Sequence, residues 1–149
     1  MFLLDSNVYI AAFSEPGFGE SFQRFHRGQL PQIILSTVVA HELLVGASTP
    51  GRQRDLARGL ITPFRTRRRL HTPGWATWAL AADVDRRLRA LGRYAASLAQ
   101  RSFAHDMLIA ATARELGATV ITRNLADFAL IRQVLPFRYQ PPWPEGATR

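Results

Sequence analysis

Residues 1–13 read Met-Phe-Leu-Leu-Asp-Ser-Asn-Val-Tyr-Ile-Ala-Ala-Phe. Phe2-Leu3-Leu4 is continuous and apolar rather than alternating, which is how a strand buried on both faces of a parallel sheet reads. The run stops at a carboxylate, Asp5. Asp5-Ser6-Asn7 is a cluster of helix-capping residue types placed ahead of Val8 to Phe13. The chain therefore opens as strand, turn and helix.

The same order recurs further on. Pro31 precedes a second strand-like run, Ile33-Ile34-Leu35-Ser36, and Thr37 caps a helix expected from Val38 to about Ala47, with Glu42 between apolar neighbours. A helix over Asp106 to Leu116 ends at Gly117, a residue suited to the left-handed backbone of a helix C-terminus, and Thr119 to Thr122 is the next strand. Phe137-Arg138-Tyr139 reads as a last strand. Between these lie a loop at Glu15-Pro16-Gly17, a short helix from Glu20 to Arg27 with Phe22 and Phe25 on one face, and a break at Pro50-Gly51. An Arg-rich amphipathic helix is expected from Arg52 to Leu60, and Arg65 to His71 is either a strand or an exposed basic segment. Thr72-Pro73-Gly74 forms a turn. Trp75 to Leu91 is a helix with Trp75, Trp78, Ala82 and Leu88 broadly on one side, the two tryptophans being expected in the core or at a dimer interface. Arg123 to Phe128 reads as a loop followed by a short helix or turn. Alternating strands and helices imply an α/β layer fold with a parallel sheet, whose ligands sit beyond the carboxyl ends of the strands.

With 149 residues, 47% of them apolar, the chain is expected to form one domain over 1–140 with a Pro-rich tail over 141–149, where Pro141-Pro142-Trp143-Pro144 excludes helix. There is no cysteine, which excludes disulfides, thiolate metal sites and a cysteine nucleophile. No apolar run reaches the roughly 18 residues of a membrane span. The N-terminal run has Asp5 inside it and no basic leader, so it reads as structure rather than a signal peptide, and the expected compartment is the cytoplasm. Nineteen basic residues, all Arg, stand against eleven acids, a net charge of +8. Such a surface favours polyanions, and guanidinium groups grip phosphates through paired hydrogen bonds. A GC-rich coding sequence explains Arg in place of Lys but not the excess of base over acid.

Most of the acids lie in surface-like contexts: Glu15, Glu20, Asp55, Asp83, Asp85 and Glu145, with Glu115 on an exposed helix face. Four have apolar company: Asp5, Glu42, Asp106 and Asp127. A carboxylate in such a place is costly unless it is capped, paired or bound to metal. Several together repel one another unless a cation neutralises them. Oxygen donors without cysteine suit a hard ion, Mg²⁺ or Mn²⁺. Each acid also has a plain structural reading: Asp5, Asp106 and Asp127 as helix caps, Glu42 as a surface residue with a packed stem. Spacing alone does not decide whether the four converge.

These stretches resemble a known family. Residues 1–13 look like the opening of a PIN domain, and Ala40-His41-Glu42-Leu43-Leu44-Val45-Gly46-Ala47 is similar to its second motif. His105 to Phe128 resembles the third and fourth motifs of the VapC-type toxins of bacterial toxin–antitoxin pairs. The resemblance spans nearly the whole chain and is loosest over Thr49 to Arg101. It implies a three-layer α/β/α fold and a Mg²⁺- or Mn²⁺-dependent ribonuclease. Asp5, Glu42 and Asp106 match the first three acids, Asp5 and Asp106 as direct metal ligands and Glu42 as a third ligand or one acting through water. The fourth acidic position falls to Asn124 or Asp127, either of which completes the ligand set, with Asp127 among the catalytic acids. Ser6, Asn7, Thr122 and Arg123 are candidates for orienting water or substrate phosphate, Arg123 alternatively pairing with Asp127 or Glu42. The implied partners are an RNA substrate, a cognate antitoxin and a second copy of the chain.

His41 and His105 flank Glu42 and Asp106, but adjacent residues on a helix point in different directions, so neither is expected to join the site. The Arg65 to Arg69 cluster suits an RNA backbone, an acidic antitoxin segment or a solvated face equally. Two other functions compete with the nuclease. A PIN-fold protein that binds without cutting is signalled by Asn at the fourth acidic position and opposed by intact Asp5, Glu42 and Asp106. A flavodoxin-like regulator shares the early Asp but lacks its Lys, since the chain has none.

Overall fold

The computed structural model describes residues 1–92 and 101–143. The end of the Pro-rich tail, with Pro144 and Glu145, lies outside the described residues. Strand β1 (Phe2–Leu4) is followed by α1 (Ser6–Ser14), α2 (Pro16–Gln29), β2 (Ile33–Ser36) and α3 (Thr37–Gly46). Helix α4 (Pro50–Leu56) runs through a π-helical turn (Ala57–Ile61) into α5 (Thr62–Thr66), and β3 (Leu70–His71) follows. The second half consists of α6 (Trp75–Ala90), α7 (Arg101–Leu116), β4 (Thr119–Ile121), α8 (Leu125–Arg132) and β5 (Arg138–Gln140).

The five strands form one parallel sheet in the order β3-β2-β1-β4-β5. β1 is central, with Phe2 opposite Ile33 on one side and Thr119 on the other. A central strand covered on both faces has no polar side, which accounts for its unbroken apolar run; Leu3 and Leu4 are fully buried. From β1 the chain moves outward through β2 to β3, then crosses to β4 and β5 on the other side of β1. Right-handed crossovers put the helices of these two halves on opposite faces, giving three α/β/α layers. Accordingly α1 packs on α2 and α3, and α7 packs on α6 and α8. The core joins Leu35, Val120 and Ile121 of the sheet to Val8, Val39, Leu88, Leu108, Ile109, Phe128 and Ile131 of the helices. Burying each such side chain contributes roughly 1.5–3 kcal/mol.

Several boundaries differ from the sequence reading. Pro16 and Pro50 start helices rather than breaking the chain, because the first helical position needs no N–H. α2 is therefore longer than Glu20 to Arg27, and Thr49, not a break, caps α4. The cap of α3 is Ser36, whose Oγ accepts the Val38 N–H at 3.2 Å, rather than Thr37. Of the basic segment, Arg65 lies in the last turn of α5, and Arg68 adopts a left-handed turn (φ 55°). α8 begins inside the expected loop. Gly117 does end α7 with φ 62°. On α6 the buried face is Thr77, Ala81, Val84 and Leu88. Trp75 and Trp78 lie outside it, 84% and 53% exposed, and of the four residues expected on one side only Leu88 is core. No helix among the described residues is long and apolar enough to cross a membrane.

Candidate active site

The order of strands reverses between β1 and β4, and the carboxyl ends of those two strands meet at that switch point. This is the place where an open α/β sheet leaves a crevice for ligands. Asp5 directly follows β1 and Thr122 directly follows β4. Asp5 is only 3% exposed. Its Oδ1 accepts the Ser6 N–H at 2.7 Å, so it does cap α1. Its Oδ2 accepts from the Asn7 amide and from the Thr122 hydroxyl, both at 2.7 Å. Asn7 turns its Oδ1 to the backbone N–H of Arg123 at 3.0 Å, and Thr122 Oγ1 accepts the Asn124 N–H at 2.9 Å. Ser6, Asn7 and Thr122 thus hold Asp5 and splice α1 to the loop after β4.

Asp106 is 6% exposed and lies inside α7, with Arg101 to His105 already helical ahead of it. It is therefore not a helix cap. Its Oδ2 accepts from the Asn124 amide at 3.3 Å, and the same amide reaches Asp127 Oδ2 at 2.7 Å. Asn124 bridges the two acids through its nitrogen, so presenting its carbonyl oxygen there requires the amide to turn over. Asp127 sits in the first turn of α8. Glu42, on α3, meets His105 of α7 with 2.9 Å between Oε1 and Nδ1. Its Oε2 is buried with no hydrogen-bond partner among the described residues.

Burial pushes the Asp5 carboxyl up to about 6, with the Glu42 charge adding to the rise and the bonds from Thr122, Ser6 and Asn7 opposing it. Burial again, then the charges of Asp5, Asp127 and Glu42, push Asp106 up to about 8. Asp106 feels all three other acids, so Asp5, Glu42, Asp106 and Asp127 lie in one electrostatic cluster. A bound cation would relieve the repulsion and satisfy Oε2 of Glu42. The oxygen donors suit Mg²⁺ or Mn²⁺. Among the described residues, no three Asp, Glu or His side chains stand as a ready-made metal cage.

Two residues behave differently from the sequence reading. Arg123 pairs with neither Asp127 nor Glu42; its guanidinium meets Glu15 at 2.7 Å and lies over the Phe18 ring. His105 touches the cluster through Glu42, and the His41 ring packs against it edge-on at 5.5 Å. The visible signal was a histidine beside each of two acids, but which one turns inward depends on how α3 and α7 pack. Glu115 also gains a partner, accepting from the buried Thr77 hydroxyl of α6.

The family model of the PIN domain matches residues 2–132. Among solved structures, the chain is similar to FitAcB from Neisseria gonorrhoeae (24% identity, TM-score 0.72, covering 96% of this chain and 99% of that one). It is also similar to DNA-bound VapBC from Salmonella typhimurium (21% identity, TM-score 0.68, covering 95% and 98%). A third is VapBC-1 from nontypeable Haemophilus influenzae (21% identity, TM-score 0.65, covering 94% and 96%). No curated protein sequence matches the chain.

Proposed function

This chain belongs to the PIN-domain family, and from that premise we propose that it is a Mg²⁺- or Mn²⁺-dependent endoribonuclease, the toxin of a type II toxin–antitoxin pair. The observation that carries the reading is that Asp106, buried on α7, is bridged by the Asn124 amide to Asp127 and shares one cluster with Asp5 and Glu42. Phosphodiester hydrolysis needs a nucleophilic water and neutralisation of the phosphoryl oxygens, and a bound divalent ion supplies both. Asp5, Asp106 and Glu42 hold it, with Asn124 and Asp127 on the rim. Thr122, Asn7 and the Ser6 N–H fix the Asp5 carboxylate, so little reorganisation is left to the moment of reaction. Asp127, less buried than Asp5 and Asp106, takes the proton of the attacking water. Arg123 contacts the phosphate backbone, exchanging Glu15 for a phosphate oxygen. The toxin assignment draws on the VapBC and FitAcB structures it resembles. Its partners on this reading are RNA, a cognate antitoxin and a second copy of the chain, in the cytoplasm.

The test is cleavage of several RNA classes by the purified protein with Mg²⁺ or Mn²⁺, with EDTA, and with Asp5→Asn. Discrete products lost on both treatments are expected. Cleavage that survives EDTA and the substitution contradicts the reading. Absence of both cleavage and metal binding favours a PIN-fold protein that binds without cutting.

A further inference from the structure

We propose that His105 is a positioning residue for the acid cluster: its Nδ1–H holds Oε1 of Glu42, so that Oε2 is the oxygen left for a cation. The proposal rests on the metal-dependent reading above and goes beyond it to a residue outside the ligand set. His105 and Glu42 stand 63 residues apart in sequence, on α7 and α3, with 2.9 Å between the two atoms. Both side chains are mostly covered, at 22% and 18% exposure, so the contact is not a solvent-screened surface pair. A carboxylate acceptor selects the tautomer with the proton on Nδ1. The edge-on contact with His41 further restricts the His105 ring.

The consequence falls on the other oxygen. Oε2 of Glu42 is buried and has no partner among the described residues. An acceptor left in that state is costly, and a cation drawn to the acid cluster would satisfy it. Asp5 and Asp106 both feel the Glu42 charge, so this carboxylate belongs to their cluster. His105 is also the chain neighbour of Asp106. One turn of α7 therefore supplies an acid to the cluster and, beside it, the group that orients an acid from α3. A mere tie between α3 and α7 explains the hydrogen bond but not the unpartnered oxygen.

The test uses Mn²⁺ alone as probe, with the free ion counted by electron paramagnetic resonance and melting followed without metal. His105→Leu keeps bulk and removes the hydrogen bond, whereas His105→Asn puts an amide N–H near the place of Nδ1. Loss of an outer partner typically weakens metal affinity by ~10–100-fold, and His105→Leu is expected to fall in that range. His105→Asn is expected to recover most of the loss. Glu42→Gln is expected to weaken binding, and the double variant to be no weaker than Glu42→Gln alone, because His105 acts through Glu42. Binding by His105→Leu equal to the parent overturns the proposal, as does a loss that follows the melting temperature through all variants. A parent protein that binds no Mn²⁺ overturns the metal reading itself, and the proposal with it.

Discussion

The hydroxyl of Thr122 donates a 2.7 Å hydrogen bond to Oδ2 of Asp5 across 117 residues of sequence. β1 and β4 are neighbours in register, so their carboxyl ends bring the two residues together. The Thr122 oxygen also accepts the backbone N–H of Asn124 and the side-chain amide of Asn7. One buried hydroxyl thus ties the first acid to the loop that carries the fourth position.

Thr122→Val keeps the shape and deletes this hub. It leaves a buried carboxylate and a backbone N–H short of partners, which costs about 1–3 kcal/mol. Thr122→Ser restores the hydroxyl and is expected to stay close to the parent. Urea unfolding of the three proteins in EDTA measures the difference.

Stability without metal is expected to fall as pH rises. Asp5 and Asp106 move from the ordinary 3.8 up to about 6 and about 8 in the folded protein. Between those limits the native state binds more protons than the unfolded chain, so the pH derivative of unfolding free energy is negative. The contribution is complete below the unfolded value and is lost as pH passes through the folded ones, at roughly 1.4 kcal/mol for each pH unit that separates the two. Urea midpoints in EDTA are expected to be lower near pH 8.5 than near pH 5. Asp106→Asn is expected to flatten that slope.

Arg123 and Glu15 form an exposed pair, at 44% and 51% side-chain exposure. Such pairs contribute about 0–1 kcal/mol. Arg123→Ala is therefore expected to leave the melting temperature nearly unchanged while weakening RNA binding. Its signature is a salt slope reduced by about one, read from RNA affinity at several salt concentrations.

Gly19 is buried where α2 crosses α1, and a Cβ there would stand 2.8 Å from the carbonyl oxygen of Ala12. Helix preference alone favours Ala by about 1 kcal/mol. Backbone cannot yield as a flexible side chain does, so Gly19→Ala is expected to destabilise by about 1–3 kcal/mol. Thermal melting decides the sign.

The central strand was legible because a strand covered on both faces writes itself as an unbroken apolar run. The acids were legible because a carboxylate beside Leu4 or Met107 is out of place unless it has a partner. Helix starts at Pro16 and Pro50 were misread because proline ends helices in the interior yet opens them at the first position. Of the two places expected for the tryptophans the core is excluded, because their i, i+3 spacing fits a helix face without saying which face is buried. Burial on α6 follows Thr77, Ala81, Val84 and Leu88, on a helix that packs against α7. The contacts of His105 with Glu42 and of Arg123 with Glu15 join residues 63 and 108 positions apart. Local pattern carries no information about which distant side chain completes such a pair.

The most direct test of the account is calorimetric titration of Mn²⁺ into the metal-free protein near neutral pH, in buffers of different ionisation heat, beside Asp106→Asn. The account predicts binding by the parent with release of protons, because a cation displaces the proton that Asp106 holds with its carboxyl pushed up to about 8. It predicts that Asp106→Asn loses most of that affinity and releases fewer protons. No binding by the parent, or equal binding by both proteins with no proton release, would contradict it.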